Sequence, residues 1–364
     1  MRDFSKAKKI VVKIGTNVLS NNGSVDIKFM KDIARQVSSL VKEGKHCIIV
    51  SSGAIGFGAM QLKMKKSQDI KVRQALAAIG QRILMEEYAK AFSSFNIEVA
   101  QILLTYDILT ERKTNLNLKH SLNELLRLGV VPIINENDVV SIEEIGTKFG
   151  DNDRLSALVA SKVDAELLIL LSDIDGLYTD NPKQNKDAQM VDVVDEITPA
   201  IKKYAGKQGS MFAVGGMESK IKAAEIATMA GCSMIITHGR EKDVILRAVC
   251  GEKLGTLFIP KLKVSARKRW ILNALPRGKI IVNECAIDIL KKGKVSLLPI
   301  GIVKVEGNFK AGDVVAINDF AHCVPDIDAK DIDKIKGLKS EEACAVLGKK
   351  CRNEVVKKEN IVLL

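Results

Sequence analysis

Five charged side chains lie where a predicted strand or helix meets a polar turn. Lys13 and Asp173 stand at the ends of apolar runs, Asp138 follows another, and Asp153 and Lys220 lie near the starts of helical stretches. The four histidines lie outside these turns, so a nucleophile activated by a neighbouring base is not indicated. Two lysines and three carboxylates suit phosphoryl transfer, which depends on positioning and charge neutralisation. An acceptor that is already an anion would suit them, because a carboxylate with a pKa of roughly 4.3 needs no general base.

The elements that must position these residues alternate between strands and helices. Runs rich in Val, Ile and Leu predict strands at residues 9–14, 47–50, 99–104, 130–134, 165–171 and 234–237. Amphipathic spacing predicts helices at residues 27–43, 71–92, 116–128 and 154–162, and one that ends near residue 230. The alternation predicts an α/β fold with a parallel-type sheet flanked by helices on both faces. The polar turns all follow strands, so we expect them to meet at one edge of the sheet.

Residues 130–162 are the stretch around which we expect the site to form. An apolar strand leads into four polar residues, 135–138, and residues 150–153 then open an amphipathic helix. Asp and Asn at a helix start can simply cap it, so each residue alone is more compatible with a structural role than with a catalytic one. The loop at residues 139–149 is too long for a plain connector. We therefore expect it to contribute to substrate selectivity.

Several protein classes are excluded by missing patterns. The chain lacks both the P-loop and the Gly-x-Gly-x-x-Gly fingerprint, so a nucleotide would need another arrangement. The seven cysteines are scattered without a Cys-x-x-Cys pair, which argues against a disulfide framework and a structural zinc site. No apolar run approaches the roughly 20 residues of a membrane helix, and the N-terminal residues do not form a signal peptide. We expect a cytoplasmic protein without a membrane partner.

The sequence changes character near residue 260. Residues 261–364 hold 21 Lys and Arg against 13 Asp and Glu, a net charge of +8 out of +12 for the chain. Short strand-like runs at 279–282, 300–305 and 314–317, separated by glycines, are typical of a small barrel. We predict one domain at residues 1–260 and a second at 270–364. The basic charge of the second indicates a nucleic-acid surface or, equally, a solvated lysine-rich exterior.

Five motifs accompany the predicted strand ends: Val11-Val12-Lys13-Ile14-Gly15-Thr16, Ser51-Ser52-Gly53-Ala54-Ile55, Pro132-Ile133-Ile134-Asn135-Glu136-Asn137-Asp138, Gly150-Asp151-Asn152-Asp153-Arg154-Leu155-Ser156-Ala157 and Gly215-Gly216-Met217-Glu218-Ser219-Lys220. Together they resemble the glutamate kinases of the amino acid kinase superfamily. The segment Ser172-Asp173-Ile174-Asp175-Gly176 is shared across that superfamily and is less specific. Two later segments, at residues 266–270 and 296–302, resemble the PUA domain appended to many bacterial glutamate kinases.

The resemblance implies a role for each matching position. Lys13 and Lys220 would neutralise charge on the transferring phosphoryl group, and Asp153 would orient them. Glutamate would be held by Ser52, Asp138 and Asn152, with support from Asn135. ATP would be held by Lys13, Ser172, Asp173, Val214, Gly215, Gly216, Met217, Glu218, Ser219 and Lys220. Mg²⁺ would bridge the phosphates, and no protein ligand is assigned to it.

The resemblance also implies an activity and partners. The enzyme would phosphorylate the γ-carboxylate of L-glutamate with ATP, the first step of proline biosynthesis. Feedback inhibition by proline, control of it by the loop at residues 139–149, and homo-oligomerisation through the kinase domain are further expectations. Two alternatives stay open: another amino acid kinase, such as an aspartokinase or a uridylate kinase, and an RNA-binding or RNA-modifying protein acting through the basic tail.

Overall fold

The computed structural model describes residues 2–21, 24–65, 67–105, 112–140, 152–182, 184–207, 216–260, 264–293, 295–348 and 354–364. The chain divides into two compact units, Met1–Val264 and Ser265–Leu364. Each unit has its own sheet and its own apolar core. Within the described ranges, no helix has the length and apolar character needed to cross a membrane.

The first unit is built on an eight-stranded sheet with the order β5-β6-β4-β1-β7-β9-β10-β8. Its strands are β1 (Lys9–Ile14), β4 (His46–Ser51), β5 (Val99–Leu104), β6 (Val131–Glu136), β7 (Leu167–Ser172), β8 (Val193–Val194), β9 (Ser233–His238) and β10 (Thr256–Phe258), and a separate two-stranded sheet contains β2 (Ser20–Asn21) and β3 (Ser24–Val25). The six predicted strands pair in parallel, which confirms the predicted α/β fold. The sequence missed β8 and the antiparallel β10, because such short strands carry too few side chains to show a period.

Helices cover both faces of this sheet. They are α1 (Thr16–Leu19), α2 (Ile27–Lys42), α3 (Ala54–Gln61), α4 (Ile70–Ser93), α5 (Arg112–Arg127), α6 (Asn152–Val163), α7 (Pro199–Lys207), α8 (Met217–Met229) and α9 (Val244–Val249). Helices α3 and α4 approach so closely that a Cβ atom at Gly80 would lie 1.8 Å from the carbonyl oxygen of Ala54. Glycine is required there because only its missing side chain permits this contact.

Alternate residues of β1 face two different cores, as expected for a strand buried on both sides. Ile10, Val12 and Ile14 pack with the apolar residues of α2 and α4. Val11 packs on the opposite face, with the apolar residues of α6 and α8. Lys13 alternates with Ile14 and therefore shares the face of α6 and α8.

The second unit contains a five-stranded sheet with the order β12-β11-β13-β14-β15. Its strands are β11 (Lys279–Val282), β12 (Ile302–Glu306), β13 (Val315–Ile317), β14 (Ala321–Cys323) and β15 (Ile361–Leu363), and its helices are α10 (Ala266–Asn273), α11 (Glu284–Lys291), α12 (Ala329–Ile335) and α13 (Ser340–Leu347). Three of these strands coincide with the predicted strand-like runs, whereas β14 and β15 were missed. Phe309, Ile317 and Ile332 are among the buried residues of its core.

Most of the described cysteines are free, as expected from their spacing. Cys47, Cys232 and Cys323 are buried, and Cys250 and Cys285 are exposed. Cys344 is disulfide-bonded, and the scattered spacing of the cysteines did not predict this bond. Scattered cysteines become neighbours only through folding, which their spacing in the sequence does not reveal.

Candidate active site

One buried carboxylate joins two buried lysines at the carboxyl end of the sheet. The Lys13 Nζ lies 2.5 Å from Asp153 Oδ1, and the Lys220 Nζ lies 2.9 Å from Asp153 Oδ2. All three side chains are less than one-tenth exposed. Buried ammonium groups are rare unless they are paired with a counter-charge. The Asp153 carboxylate supplies that counter-charge, so both lysines can be buried side by side.

Each member of the cluster is brought there by its own element. Lys13 is the penultimate residue of β1, between β4 and β7. Asp153 lies in the first turn of α6, where the positive end of the helix dipole favours a carboxylate. Lys220 lies in the first turn of α8, which packs against α6. Burial alone would raise the pKa of Asp153, but Lys13 and Lys220 outweigh it and hold that pKa below its ordinary value.

A second polar cluster lies beside the first and consists of carboxamides and serines. The Asn152 Nδ2 is within hydrogen-bond distance of three acceptors: Ser51 O at 3.2 Å, Ser52 Oγ at 2.9 Å and Asn135 Oδ1 at 3.1 Å. The Asn135 Nδ2 donates to Gln81 Oε1 at 2.8 Å. Ser52 precedes Gly53, whose φ of +105° begins α3 in a left-handed conformation that favours glycine. The ends of β4, β6 and α6 thus meet in one small polar pocket.

Asp138, two residues after β6, is also buried, with 8% of its surface exposed. Burial and the nearby charge of Glu136 raise the pKa of Asp138 to about 7, against the opposing effect of Arg73 on α4. A carboxylate with such a pKa changes charge near neutral pH. A cationic group placed beside Asp138 would stabilise its charged form.

The end of β7 presents a different set of groups. The Ser172 Oγ donates to Asp173 Oδ1 at 3.1 Å, and the Asn17 Nδ2 donates to Asp173 Oδ2 at 2.8 Å. Burial opposes ionisation of Asp173, but these hydrogen bonds and the charge of Lys220 leave its pKa below the ordinary value. Asp173 is exposed, so this end of β7 is accessible from solvent.

The start of α8 completes the described part of this edge. Gly216 precedes the helix, Met217 is buried, Ser219 is half-buried and Glu218 is exposed. The predicted nucleotide-binding residues Val214 and Gly215 lie outside the described residues, as does the loop from residue 141 onwards. The structure therefore brings Lys13, Lys220 and Asp153 into contact, and Asn152, Ser52 and Asn135 into another contact set.

Comparison of the chain with known protein families gives two matches. Residues 8–238 match the amino acid kinase family, and residues 278–347 match the PUA domain. The chain belongs to the amino acid kinase family. The first match spans the sheet from β1 to β9, and the second lies within the C-terminal unit.

Proteins named glutamate 5-kinase are similar to this amino acid kinase over almost its whole length. The one from Methanosarcina mazei is 48% identical and covers 99% of this chain and 97% of its own. The one from Methanococcoides burtonii is 46% identical, with 98% and 97% covered, and that from Caldanaerobacter subterraneus subsp. tengcongensis is 43% identical, with 98% of each covered. A solved UMP kinase from Bacillus anthracis aligns with a TM-score of 0.48 at 19% identity, covering 71% of this chain and 98% of that chain.

Sequence reasoning missed several polar groups that support the site of this amino acid kinase. Asn17 contacts Asp173, and from α4 Gln81 contacts Asn135 while the Tyr88 hydroxyl lies 3.0 Å from Ser51 Oγ. Gln81 and Tyr88 are seven residues apart, so they lie on one helix face. Two polar residues within an otherwise apolar face were the available signal.

The described residues contain no group of three or more His, Cys, Asp and Glu side chains that could hold a metal ion. They therefore do not fit a metal site built entirely by the protein. Mg²⁺ commonly takes most of its ligands from phosphates and water and few from protein carboxylates.

Proposed function

We propose that this protein transfers the γ-phosphoryl group of ATP to the γ-carboxylate of L-glutamate, forming L-glutamyl 5-phosphate and ADP in the first step of proline biosynthesis. The observation that carries this proposal is the ion pairing of Asp153 with both Lys13 and Lys220, directly beside the polar pocket around Asn152. The relatives named glutamate 5-kinase, aligned over nearly the whole chain, support the choice of substrate.

The two lysines do the electrostatic part of the reaction. A γ-carboxylate oxygen of glutamate attacks the γ-phosphorus of ATP, a new P–O bond forms, and the P–O bond to ADP breaks. Lys13 and Lys220 offset the negative charge on the transferring group, and Asp153 holds both ammonium groups in place. The acceptor is already ionised at neutral pH, so no protein base has to remove a proton from it.

The pocket next to the lysines receives the amino acid. Ser52, Asn152 and Asn135 supply hydroxyl and carboxamide groups, and Asp138 supplies a carboxylate for the α-ammonium group. Such a pocket selects by geometry, because a shorter acceptor held by the same groups would place its carboxylate too far from the phosphorus.

The nucleotide occupies the edge formed by the ends of β7 and α8. Ser172 and Asp173 bind it from β7, and the turn leading into Lys220 binds it from α8, including Val214, Gly215, Gly216, Met217, Glu218 and Ser219. In this proposal Mg²⁺ would accompany ATP and would offset negative charge on its phosphates. The reaction takes place in the cytoplasm.

A hydroxamate assay tests the proposal directly. The purified protein is supplied with ATP, Mg²⁺ and hydroxylamine, and with glutamate, aspartate or N-acetylglutamate in turn, since an acyl phosphate reacts with hydroxylamine. We expect hydroxamate from glutamate only. Product from aspartate without product from glutamate would reject the proposal in favour of an aspartokinase. In a separate assay of ADP release, turnover with UMP alone would favour a uridylate kinase.

The KM for glutamate is expected to rise about tenfold between pH 8 and pH 6, since Asp138 has a pKa near 7 in the free protein. Above that pKa the group is a carboxylate that attracts the α-ammonium group, and below it the group is neutral. Initial rates at varied glutamate and saturating ATP measure the effect. Asp138→Asn should raise KM and flatten this profile, and an equally steep profile in that variant would assign the titration to another group.

A second proposal concerns the C-terminal unit, which we infer binds RNA. It is supported by the PUA match and by the +8 charge of residues 261–364. A gel shift of tRNA by the full chain should weaken as salt rises and disappear when the chain ends at residue 264. Lack of binding at low salt would count against it.

Two further properties are part of the proposed function. L-Proline inhibits by competing with glutamate in overlapping sites, with a contribution from the loop at residues 139–149, so it should raise the KM for glutamate without lowering kcat.

The kinase unit assembles into a homo-oligomer. Light scattering that gives the mass of a single 39.8 kDa chain would contradict the second property.

A further inference from the structure

Helix α4 is not part of the sheet edge, but it places the carboxamide of Gln81 in the polar pocket. Gln81 is 8% exposed, and its Oε1 accepts a hydrogen bond from Asn135 Nδ2 at 2.8 Å. The close contact of α3 and α4 at the preceding residue, Gly80, sets the depth at which Gln81 lies. Among the described residues, none pairs with Gln81 Nε2, so the one hydrogen bond of this side chain is the one to Asn135.

Asn135 is thereby held in one of its two amide orientations. Its Oδ1 accepts from the Glu136 N–H at 2.9 Å and from Asn152 Nδ2 at 3.1 Å, while its Nδ2 points to Gln81. A carboxamide turned by 180° exchanges its donor and its acceptor. In the turned orientation, Asn135 Nδ2 would face two donors, and Asn135 Oδ1 would face the acceptor of Gln81.

The orientation of Asn152 depends on that of Asn135. Its Nδ2 is directed at the acceptors on Ser51, Ser52 and Asn135. Its Oδ1 is buried and has no partner among the described residues. A buried carbonyl without a partner is unfavourable, and it is satisfied when a ligand brings an N–H donor. The α-ammonium group is the N–H donor that glutamate carries.

We infer that Gln81 is a positioning residue for substrate: through Asn135 it fixes Asn152 with its Oδ1 directed at an N–H donor of the bound amino acid. The inference rests on the proposed function, since it takes the occupant of this pocket to be glutamate. Within the described part of the chain, Gln81 forms no hydrogen bond with Lys13, Lys220 or Asp153, so we expect its effect on glutamate binding rather than on the phosphoryl-transfer step.

Steady-state kinetics of Gln81→Met test this inference. Methionine keeps the length of the side chain and removes the acceptor. We expect the KM for glutamate to rise about tenfold, with kcat and the KM for ATP within about twofold of the wild type. Arg82→Met is the matched control, because Arg82 is the next residue of α4 and is exposed in a surface ion pair with Glu86. It should leave all three constants unchanged.

A double-mutant cycle separates positioning from general packing. If Gln81 acts through Asn135, Gln81→Met should add almost nothing to the KM of Asn135→Ala, whereas independent effects would multiply. Gln81→Glu, which keeps an acceptor oxygen for Asn135, should stay closer to the wild-type KM than Gln81→Met. This variant also serves as the test if Gln81→Met does not fold.

The outcomes are distinguishable. Absence of glutamate turnover in the wild type would overturn the proposed function, and the inference with it. Normal wild-type turnover together with an unchanged KM in Gln81→Met, a tenfold higher KM in Gln81→Glu, or multiplicative effects in the cycle would overturn the inference alone.

Discussion

Lys220→Met is expected to lower kcat about 10²- to 10³-fold while changing the KM for glutamate by less than about threefold. The reason is that Lys220 pairs with Asp153 and, in the proposed function, acts on the transferring phosphoryl group rather than on glutamate. Loss of one preorganised charge removes stabilisation that matters most when the phosphoryl group is in transfer. Single-turnover and steady-state rates at saturating ATP and glutamate measure the change.

The matched control for this substitution lies two residues along the same helix. Lys222 is exposed and pairs with Glu218 at 2.9 Å on the surface of α8. Lys222→Met removes the same charge from the same helix, so we expect kcat within about twofold of the wild type. Near-normal turnover in Lys220→Met would remove Lys220 from the mechanism, and an equal loss in both variants would point to net charge rather than position.

Asp153→Asn is expected to have the larger effect, because it removes the partner of two lysines at once. The buried ammonium groups of Lys13 and Lys220 would then repel each other without a counter-charge. We expect kcat to fall by more than about 10³-fold and the free energy of unfolding to fall by about 3–5 kcal/mol. Urea unfolding at pH 7 and steady-state kinetics measure the two quantities separately.

Asp153 makes the free energy of unfolding fall as the pH is lowered into the acid range. The folded pKa of Asp153 lies below its ordinary 3.8, so its contribution is fully present above pH 3.8 and is lost as the pH falls through the folded pKa. Asp153→Asn should therefore be less stable than the wild type at pH 7, with a smaller difference in strong acid. Glu124→Gln, at an exposed pair with Arg127, is the control and should leave the free energy of unfolding close to that of the wild type. Equal stability of Asp153→Asn and wild type would contradict the interpretation of the cluster.

Part of this site could be predicted from sequence for clear physical reasons. Lys13 interrupts an apolar strand near its carboxyl end, so its ammonium group had either to reach solvent or to meet an anion. Asn152 and Asp153 stood out because polar residues were concentrated at the start of a helix after a buried strand. The alternation of apolar strands and amphipathic helices was sufficient to predict the six-strand parallel core.

Other parts depend on tertiary contacts that local sequence does not encode. The seven-residue spacing of Gln81 and Tyr88 places them on one face of α4, but not at a particular strand end. Their partners, Asn135 and Ser51, are 54 and 37 residues away in the chain. Asn17 is likewise 156 residues from Asp173. Only the packing of α4 and α1 against the sheet brings these pairs together.

Asn152 and Asp153 are consecutive residues, yet Asn152 contacts Ser52 in the pocket that we propose for the acceptor, and Asp153 contacts the lysines that we propose for the donor phosphate. Their Cα atoms are separated by a single trans peptide, about 3.8 Å. In the proposed function, this single peptide unit fixes the distance between the glutamate pocket and the phosphate-binding lysines. Loops around the pocket can then diverge and change which acceptor is admitted, while the gap across which the phosphoryl group moves stays the same.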